Sequence, residues 1–499
     1  MEYTSTRGNG QICSGAEAIL SGIASDGGLF VPLTLPSLDI HWVVKPKPYI
    51  KLAAEVLGKL LPDYSKVELE QCASAYDGNF DSVDIAPLIR VGSRSVLELW
   101  HGPTSAFKDM ALQILPRLLT LALEKTGETS DILILVATSG DTGKAALEGF
   151  RDIPGTAILV FFPSAGVSEV QRRQMITQEG KNVGVVAVEG NFDDAQTGVK
   201  AIFADSAIRG MLAQKKWKLS SANSINWGRL APQIAYYFSA YQALSKNRTI
   251  QAGDLVNFCV PTGNFGNILA GYYAKQMGLP VGRLICASND NNVLTDFLRT
   301  GIYDRNRPFH QTISPSMDIL ISSNLERLLY HTTQGNADQV REWMLQLNSQ
   351  GRYKIDSETL SEIQRNFWAD WASEADAAQI IRQVWEQENY LLDPHTAVAW
   401  KAADTYEKNS KDGVPTVVLS TASPFKFADS VLQAIGDAGA TAEKEPLNLL
   451  TRLAGKTGWS IPAGLAGLSS KVPRHNQVCQ IGTMPETVMD FIDNVSSVR

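Results

Sequence analysis

The sequence is poor in cysteine and histidine, and neither residue occurs in a pattern that holds a metal ion. Its 499 residues include five cysteines and six histidines, and the cysteines are far apart and odd in number. Because no CxxC pair and no HxxxH spacing occurs, neither a zinc site nor a disulfide scaffold is expected. We therefore expect buried, reduced thiols in a cytoplasmic protein, and no bound metal.

Long apolar runs and basic stretches are also missing. The longest apolar runs, such as 132–137 and 157–162, have the length of a strand and are too short to cross a bilayer. The amino-terminal residues are polar, so a signal peptide is not expected. The net charge is −7 and no run of lysine and arginine occurs. We therefore expect no nucleic-acid partner and no membrane association.

What the chain has instead is a repeated order of strand, glycine-rich turn and helix. Apolar, β-branched runs that alternate with helical patterns are typical of parallel sheets covered by helices. The sequence thus predicts an α/β fold with two sheet-containing subdomains and helices on both faces. The predicted strands are 96–100, 131–137, 156–162, 183–188, 217–220, 255–260, 283–287 and 416–420. The predicted helices include 144–150, 193–203, 231–244, 268–277, 358–372, 377–390, 394–406 and 488–495.

Three regions are expected along the chain. Residues 1–90 form a mostly helical prefix, in which helices are predicted near 16–23 and 49–61. Residues 91–435 carry the strand–turn–helix pattern and are the expected catalytic region, with a smaller subdomain embedded at about 130–220. Residues 436–499 are expected to pack on the catalytic region as a carboxy-terminal segment.

Lys108 is the candidate for chemistry. The segment 97–113, LELWHGPTSAFKDMALQ, predicts a short strand, a loop and a helix that begins near Ala106, with Lys108 in its first turn. The positive end of a helix dipole disfavours an ammonium ion, and this field together with partial desolvation lowers the pKa of the amine. A lysine that reacts with a carbonyl needs such a lowered pKa. A lysine that merely extends to solvent is the alternative for this residue alone.

Two strand-to-helix turns have the composition of anion sites. They are TSGDTG at 138–143 and TGNFGN at 262–267, where glycine lets the backbone approach an anion at a helix start. Ordinary turns use the same residue types. The first turn is not a nucleotide-binding Walker loop, because Thr138 replaces its first glycine and Ala145 its final hydroxyl residue. A third segment, NSINWGR at 223–229, ends in Arg229, which could bind phosphate, a carboxylate or a surface acid.

Taken together, the motifs resemble those of threonine synthases, pyridoxal-phosphate-dependent enzymes of fold type II. They occur in the family's order from near the first residue to Phe427. The segments that carry the resemblance are YTSTRG (3–8), SDGGLFVP (25–32), HGPTSAFKDMALQ (101–113), ATSGDTG (137–143), GNFDDAQ (190–196), NSINWGRLAPQ (223–233), PTGNFGN (261–267) and LSTASPFKF (419–427).

The resemblance implies a role for each candidate residue. Lys108 would be the catalytic lysine that forms a Schiff base with the cofactor, and Thr421 the hydroxyl partner of the pyridine nitrogen. Asp141 stands where many relatives have an asparagine that contacts the ring oxygen; an ionised aspartate only accepts hydrogen bonds, so this contact is left open. The other implied contacts are the cofactor-phosphate loop Gly263, Asn264, Phe265, Gly266 and Asn267, and the substrate-binding residues Thr138, Ser139, Thr142, Asn226 and Arg229.

The implied reaction is the last step of threonine biosynthesis, in which O-phospho-L-homoserine and water give L-threonine and phosphate. A related phospho-lyase that releases 2-oxobutyrate and another fold type II lyase or dehydratase are alternatives, and a non-catalytic pyridoxal-phosphate-binding protein is a third. The resemblance further implies a monomer with a small-molecule substrate as its partner. No control by S-adenosylmethionine is expected.

Overall fold

The first 90 residues form a small antiparallel sheet and several helices. The computed structural model of the chain describes residues 1–499 except 9, 139, 165–166, 438, 441–442, 444 and 499. The sheet has the order β2-β1-β3 and was not predicted, because strands of two or three residues are too short to show a period of two. The elements of this part are β1 (Tyr3–Ser5), β2 (Ile12–Cys13), α1 (Gly15–Ser21), β3 (Phe30–Pro32), α2 (Ile40–Val44), α3 (Tyr49–Leu60) and α4 (Lys66–Ala73).

The next part opens the larger sheet and then builds most of the smaller one. Its elements are β4 (Leu88–Val91), β5 (Arg94–Glu98), α5 (Asp109–Leu112), α6 (Leu115–Thr126), β6 (Asp131–Ala137), α7 (Asp141–Phe150), β7 (Thr156–Pro163), α8 (Glu169–Ile176), β8 (Val183–Val188), α9 (Phe192–Ala204), α10 (Ser206–Gln214) and β9 (Trp217–Ser220).

The remaining part completes both sheets. Its elements are α11 (Trp227–Leu230), α12 (Ile234–Lys246), β10 (Val256–Pro261), α13 (Gly266–Gln276), β11 (Val281–Ser288), α14 (Val293–Thr300), β12 (Ile302–Asp304), α15 (Leu325–Thr332), α16 (Ala337–Gln350), β13 (Arg352–Lys354), α17 (Ser357–Asn366), β14 (Phe367–Trp371), α18 (Glu374–Glu388), α19 (Pro394–Ser410), β15 (Thr416–Ser420), α20 (Ala428–Ala434), α21 (Asn448–Thr457), β16 (Gln477–Cys479) and α22 (Met484–Val498). Short 3-10 helices include Ala231–Gln233, Pro315–Met317 and Pro424–Phe427.

Two mostly parallel sheets organise the chain, as predicted. The larger sheet has the order β14-β11-β10-β15-β5-β4, and its only antiparallel pair is β4 with β5 among the residues that the structure describes. The smaller sheet has the order β16-β8-β7-β6-β9 and is parallel throughout. The predicted α/β class with two sheet-containing subdomains is confirmed. The strands are rich in β-branched residues and are buried, since helices cover them.

One predicted helix is wrong in its second half. The helix predicted for 358–372 ends at Asn366, and the chain continues as the strand β14, which pairs in parallel with β11. In β14, Phe367 and Ala369 are buried while Trp371 is exposed. Bulky aromatic residues favour a strand here, and the hydrogen bonds of the sheet edge outweigh the helical period of the preceding residues.

The carboxy-terminal segment returns to the smaller sheet. Strand β16 pairs with β8, with Gln477 opposite Val186 and Cys479 opposite Val188. Helix α22 buries Val488 and Ile492 in a hydrophobic cluster with β6, β7 and β8. The segment therefore supplies an edge strand to the embedded subdomain, which the division at residue 436 did not anticipate.

The five cysteines are free and buried, as predicted. Within the described part of the chain, none of the helices combines the length and the apolar character needed to cross a bilayer. In that same part, no group of three or more histidine, cysteine, aspartate and glutamate side chains is placed to hold a metal ion.

Candidate active site

Lys108 lies immediately before a helix of only four residues. The prediction that the helix begins near Ala106 is wrong, since α5 begins at Asp109 and Lys108 is its N-cap. Ala106 instead forms a β-bridge with Ala422, and the N–H of Phe107 donates to the carbonyl oxygen of Thr421 over 2.8 Å. These contacts fix the turn that carries Lys108 against the residues that follow β15.

The amine of Lys108 is buried and shares its surroundings with three charged groups. Lys108 is 8% exposed, and its Nζ donates to the Oγ of Ser316 over 3.0 Å and lies 3.6 Å from the Oδ2 of Asp141. Burial lowers the pKa of Lys108 to about 8, in opposition to Asp141 and with help from the positive charges of Lys426 and Arg229. The lowered pKa was predicted, but burial causes it, and a four-residue helix has little dipole to add.

Asp141 is held as a carboxylate between two lysines. It begins α7 and is buried, and its Oδ1 accepts from the Nζ of Lys426 over 2.7 Å and from the Nε2 of Gln171 over 2.8 Å. Burial by itself would raise the pKa of Asp141, but Lys426 and Lys108 outweigh it and hold that pKa well below its usual range. This oxygen already accepts from two protein donors before any ligand is considered.

The turn at 138–143 is shaped by its own side chains. The Oγ1 of Thr138 accepts from the N–H groups of Gly140 and Gly143, each over 3.0 Å. Gly140 has a φ of 153°, and a Cβ there would lie 2.5 Å from the side chain of Gln171, so only glycine fits. Thr142 is half-buried and its hydroxyl makes no hydrogen bond with the described residues. Ser139 lies outside the described residues.

The turn at 262–267 ends at the start of an eleven-residue helix. Phe265 has a φ of 63°, the left-handed region, which turns the backbone so that α13 begins at Gly266. The carbonyl oxygen of Asn264 accepts from the N–H and the Nδ2 of Asn324 over 3.1 and 3.0 Å. At Gly263 a Cβ would lie 2.5 Å from the carbonyl oxygen of Ser316, so this turn packs directly on the segment that contacts Lys108.

Asn267 carries an orphaned donor at this helix start. Its Oδ1 accepts from the hydroxyl groups of Tyr236 and Tyr237 over 2.6 and 2.9 Å, which fixes the orientation of the amide. Its Nδ2 is buried and has no hydrogen-bond partner. A helix N-terminus with an unsatisfied amide donor beside it is suited to an anion such as a phosphate.

Arg229 is a buried cation without an acidic partner. It is 6% exposed, and its Nη1 donates to the carbonyl oxygen of Ala222 over 2.8 Å. It forms no ion pair with a carboxylate of the described residues, and burial lowers its pKa to about 10. The charge is close enough to Lys108 to lower the pKa of that lysine as well.

The side chain of Asn226 makes hydrogen bonds within the protein, whereas the hydroxyl of Thr421 makes none with the described residues. The Oδ1 of Asn226 accepts from the N–H of Gly228 and its Nδ2 donates to the carbonyl oxygen of Ile19, both over 2.9 Å. These bonds help to start α11, which carries Arg229, and leave one N–H and one lone pair of the Asn226 amide unused, so the substrate contact predicted for Asn226 stays a prediction. Thr421 is buried beside the Lys108 turn, and its hydroxyl makes no hydrogen bond with the described residues.

Four residues at the site received no role from sequence reasoning. Lys426 lies in the motif at 419–427, and its position between Phe425 and Phe427 was a signal of a buried lysine. Ser316 gave no signal. The N–H of Ser316 donates to the Nε2 of His395 over 3.1 Å, so His395 is protonated on Nδ1, which donates to the Oδ1 of Asp393 over 2.8 Å. The buried pair of Asp393 and His395 thereby holds the residue that contacts Lys108.

A buried lysine of lowered pKa and a helix start with an unsatisfied donor, placed on two parallel-stranded subdomains, fit a pyridoxal-phosphate-dependent enzyme of fold type II. In agreement, residues 96–359 match the family model described as pyridoxal-phosphate dependent enzyme. The models for the threonine synthase N terminus and for the threonine synthase C-terminal part match residues 2–76 and 396–492. The chain belongs to the threonine synthase family.

Individual relatives support this assignment. The chain is 42% identical to threonine synthase of Pseudomonas aeruginosa over 88% of its own length and 92% of that protein. It is 44% identical to threonine synthase-like 1 of Macaca fascicularis over 84% of its own length, and spans 58% of that longer protein. The crystal structure of PLP-bound threonine synthase from Brucella melitensis is similar with a TM-score of 0.87 and 38% identity, and covers 99% of each chain.

Pyridoxal phosphate is the family's cofactor, and the residues present fit it. The orphaned Nδ2 of Asn267 and the start of α13 provide donors suited to its phosphate. The lowered pKa of Lys108 increases the fraction of neutral amine, the form that reacts with the cofactor's aldehyde carbon. The free hydroxyl of Thr421 is a candidate for the pyridine nitrogen. Asp141, in contrast, already pairs with Lys426, so its predicted contact with the ring oxygen gains no support from the geometry.

Proposed function

We propose that the protein is a threonine synthase that converts O-phospho-L-homoserine and water to L-threonine and phosphate. The observation that carries the proposal is Arg229, a buried guanidinium without an acidic partner among the described residues, close to Lys108. A buried cation is costly unless an anion neutralises it, so this arrangement calls for an anionic substrate group. A guanidinium binds phosphate through two parallel hydrogen bonds, which suits a phosphate ester.

Lys108 is the base of the proposed reaction. When bound, pyridoxal phosphate supplies the electron sink that makes the proton on the substrate's α carbon acidic. The Nζ of Lys108, with a pKa of about 8, is neutral in an appreciable fraction near neutral pH and can accept that proton. The ammonium formed at Nζ gives up this proton before the amine takes a second one from the β carbon. Phosphate leaves from the γ carbon with the bonding electron pair, and water adds a hydroxyl group at the β carbon. The protons from the β carbon and from water end on the γ carbon and on phosphate.

The remaining residues bind and orient the substrate and cofactor in this proposal. The turn at 138–143, with the free hydroxyl of Thr142, faces the substrate carboxylate, and the turn at 263–267 holds the cofactor phosphate. Thr421 donates to or accepts from the pyridine nitrogen; as a neutral hydroxyl it does not keep that nitrogen protonated as a carboxylate would. A monomer remains our expectation for the assembly.

A phospho-lyase that releases 2-oxobutyrate is the second candidate. Relatives named threonine synthase-like 1 are 43–44% identical to the chain, as similar as the threonine synthase of Pseudomonas aeruginosa at 42%. Both activities need Lys108 as a base and Arg229 for the phosphate, and they differ only in whether water adds at the β carbon before the product leaves.

Product analysis separates these candidates. The purified full chain is incubated with pyridoxal phosphate and O-phospho-L-homoserine, and phosphate, threonine and 2-oxobutyrate are quantified together. Phosphate and threonine in equal amounts are the expected result. Phosphate with 2-oxobutyrate would establish the second candidate, and no phosphate from a chain that has bound the cofactor would contradict both.

A further inference from the structure

Lys426 is a fully buried cation that the proposed reaction does not use. It is 2% exposed, and its Nζ donates to the Oδ1 of Asp141 over 2.7 Å and to the carbonyl oxygen of Thr104 over 2.9 Å. It lies in the 3-10 helix that follows β15 of the larger sheet, whereas Asp141 begins α7 next to the smaller sheet. A buried ion pair often contributes no more to stability than apolar residues of similar volume, so stability alone does not explain such a pair beside a reactive lysine.

The carboxylate of Asp141 is shared between two lysines. One oxygen binds Lys426 over 2.7 Å, and the other lies 3.6 Å from the Nζ of Lys108. A buried carboxylate with Lys108 as its only cation would favour the ammonium form of that lysine, which can neither accept a proton nor attack a carbonyl. A second cation on the same carboxylate weakens that preference.

We propose that Lys426 is a positioning residue that neutralises Asp141 and so prevents this carboxylate from holding the catalytic lysine as an ammonium ion. Lys426 acts through Asp141 and touches neither substrate nor cofactor in this role. The inference rests on the proposed function only in taking Lys108 as the reactive lysine. Electrostatics agrees with the geometry, because Asp141 raises the pKa of Lys108 while Lys426 lowers it.

The other charged groups around the two lysines come from several neighbouring elements. Only Gln171 besides the lysines contacts the carboxylate of Asp141 among the described residues. The carboxylate of Asp109 accepts hydrogen bonds from the N–H and the hydroxyl of Thr104, and burial raises the pKa of Asp109 to about 6. The remaining groups are Arg229 of α11, the pair of Lys144 and Glu148 on α7, and the pair of Asp393 and His395, which reaches Lys108 only through Ser316.

The test measures how readily Lys108 is acetylated as a function of pH. The full chain without cofactor is trace-labelled with acetic anhydride, which reacts with the neutral amine, and labelling of Lys108 is quantified by peptide mass spectrometry. The wild type should show a midpoint near pH 8. In Lys426→Met we expect the midpoint to rise by about one pH unit or more, because Asp141 then has Lys108 as its only cation. No substrate is used, so a failure of threonine formation leaves this readout unaffected.

Matched variants separate this role from a structural one. Lys426→Arg keeps the cation and should keep the midpoint near that of the wild type. Lys144→Met removes a different buried, paired lysine, which lies in α7 together with Asp141, and should leave the midpoint unchanged. Replacing Asp141 by Asn in the Lys426→Met background should bring the midpoint back down.

An unchanged or lowered midpoint in folded Lys426→Met would overturn the proposal. If that variant does not fold, Lys426→Gln decides in its place, because it also removes the charge and can still donate a hydrogen bond to Asp141. A midpoint in Lys426→Gln equal to that of the wild type would overturn the proposal.

Discussion

At the scale of single residues, the site is defined by charges that are buried without full compensation. Lys108, Arg229 and Lys426 are each less than 9% exposed, and Asp141 is the one carboxylate within ion-pairing distance of any of them among the described residues. Such an excess of buried positive charge is unfavourable in the protein alone. It becomes favourable when an anionic cofactor and an anionic substrate enter, which is the arrangement that the proposed reaction needs.

Ser316 is expected to hold the amine of Lys108 in its working position. Ser316→Ala removes the acceptor 3.0 Å from Nζ, and a hydrogen bond to a charged group contributes about 1.5–3 kcal/mol. We expect kcat to fall by roughly tenfold or more while KM changes little. Ser314→Ala is the matched control, because Ser314 is a buried serine of the same segment that bonds Asn289 and Thr312 instead. Equal kcat values for the two variants would contradict the assignment.

His101 predicts a pH dependence of stability. Burial lowers its pKa, but hydrogen bonds to Asp81 over 2.6 Å and Glu98 over 2.9 Å outweigh this and raise the pKa to about 9. Since the folded-state pKa lies above the unfolded value of about 6.5, the stabilisation is complete below pH 6.5 and is lost as the pH rises through 9.

The measurement compares the wild type with His101→Asn. Because the ring is partly exposed and solvent screens it, we expect the difference in free energy of unfolding to shrink by only about 1 kcal/mol between pH 6 and pH 10. Denaturant unfolding at a series of pH values gives this difference. A difference that does not vary with pH would show that the ion pairs of His101 contribute nothing.

At the scale of elements, the edge strand β14 supports the turn that is proposed to hold the cofactor phosphate. The ring of Phe367 lies 5.6 Å from that of Phe265 and 5.8 Å from that of Tyr272. Phe265 is the residue of positive φ at the start of α13, and its ring is buried. The strand that was predicted as a helix therefore packs against the side chain at the bend of this turn.

Phe367→Ala is expected to weaken both folding and cofactor binding. Removal of a buried phenylalanine side chain costs about 3–5 kcal/mol, and the unsupported Phe265 should lower the affinity for pyridoxal phosphate several-fold. Denaturant unfolding and a cofactor titration measure the two effects. Trp371→Ala removes an aromatic residue that is 39% exposed on the same strand and should change either quantity much less. Comparable losses of stability and cofactor affinity in both variants would refute the claim that Phe367 supports this turn.

Elements were predictable where local pattern and burial agree. The strands β6, β8, β9 and β15 have the predicted bounds. In β6, β8 and β15 a short, mostly apolar run is bounded by turn residues, whereas in β9 (WKLS) apolar and polar residues alternate. Helix α19 begins at Pro394 after the Asp393 cap, as its cap chemistry indicated. The failures, α5 and β14, are segments whose conformation is fixed by partners distant in the chain, namely Ala422 for the Lys108 turn and β11 for β14.

In the site too, the residues that could not be predicted are those whose contacts join distant parts of the chain. Lys108 and the two turns were found because their segments carry local motifs. Ser316 and Lys426 were not, because their contacts with Lys108 and Asp141 join residues that are far apart in sequence. A hydrogen-bonded serine has no local signature, whereas a lysine between two phenylalanines has one that can be recognised.

At the scale of the whole molecule, both ends of the chain pack on its central part. The amino-terminal part contacts the catalytic region through Arg7, whose guanidinium donates to Glu326 over 2.8 and 2.9 Å. The carboxy-terminal segment adds β16 and α22 to the smaller sheet. The subdomain proposed to hold the substrate carboxylate is thus stabilised by the last residues of the chain as well as by its own.

Ile492→Ala tests this closure. Ile492 is fully buried between α22 and the smaller sheet, so its truncation should cost about 2–4 kcal/mol. Hydrogen exchange should accelerate in β7 and β8 more than in β10 and β15 of the larger sheet. Uniform acceleration in both sheets would mean that the two subdomains unfold as one unit and that α22 does not support the smaller one separately.

The most direct test of the account is the preference for a phosphorylated substrate and its dependence on Arg229. The quantity is the ratio of kcat/KM for O-phospho-L-homoserine to kcat/KM for L-homoserine, measured in the wild type and in Arg229→Gln. We predict a strong preference in the wild type that falls by about 100-fold in the variant, because the buried cation that binds the phosphate is lost. A ratio that Arg229→Gln leaves unchanged would contradict the claim that this arginine recognises the substrate's phosphate.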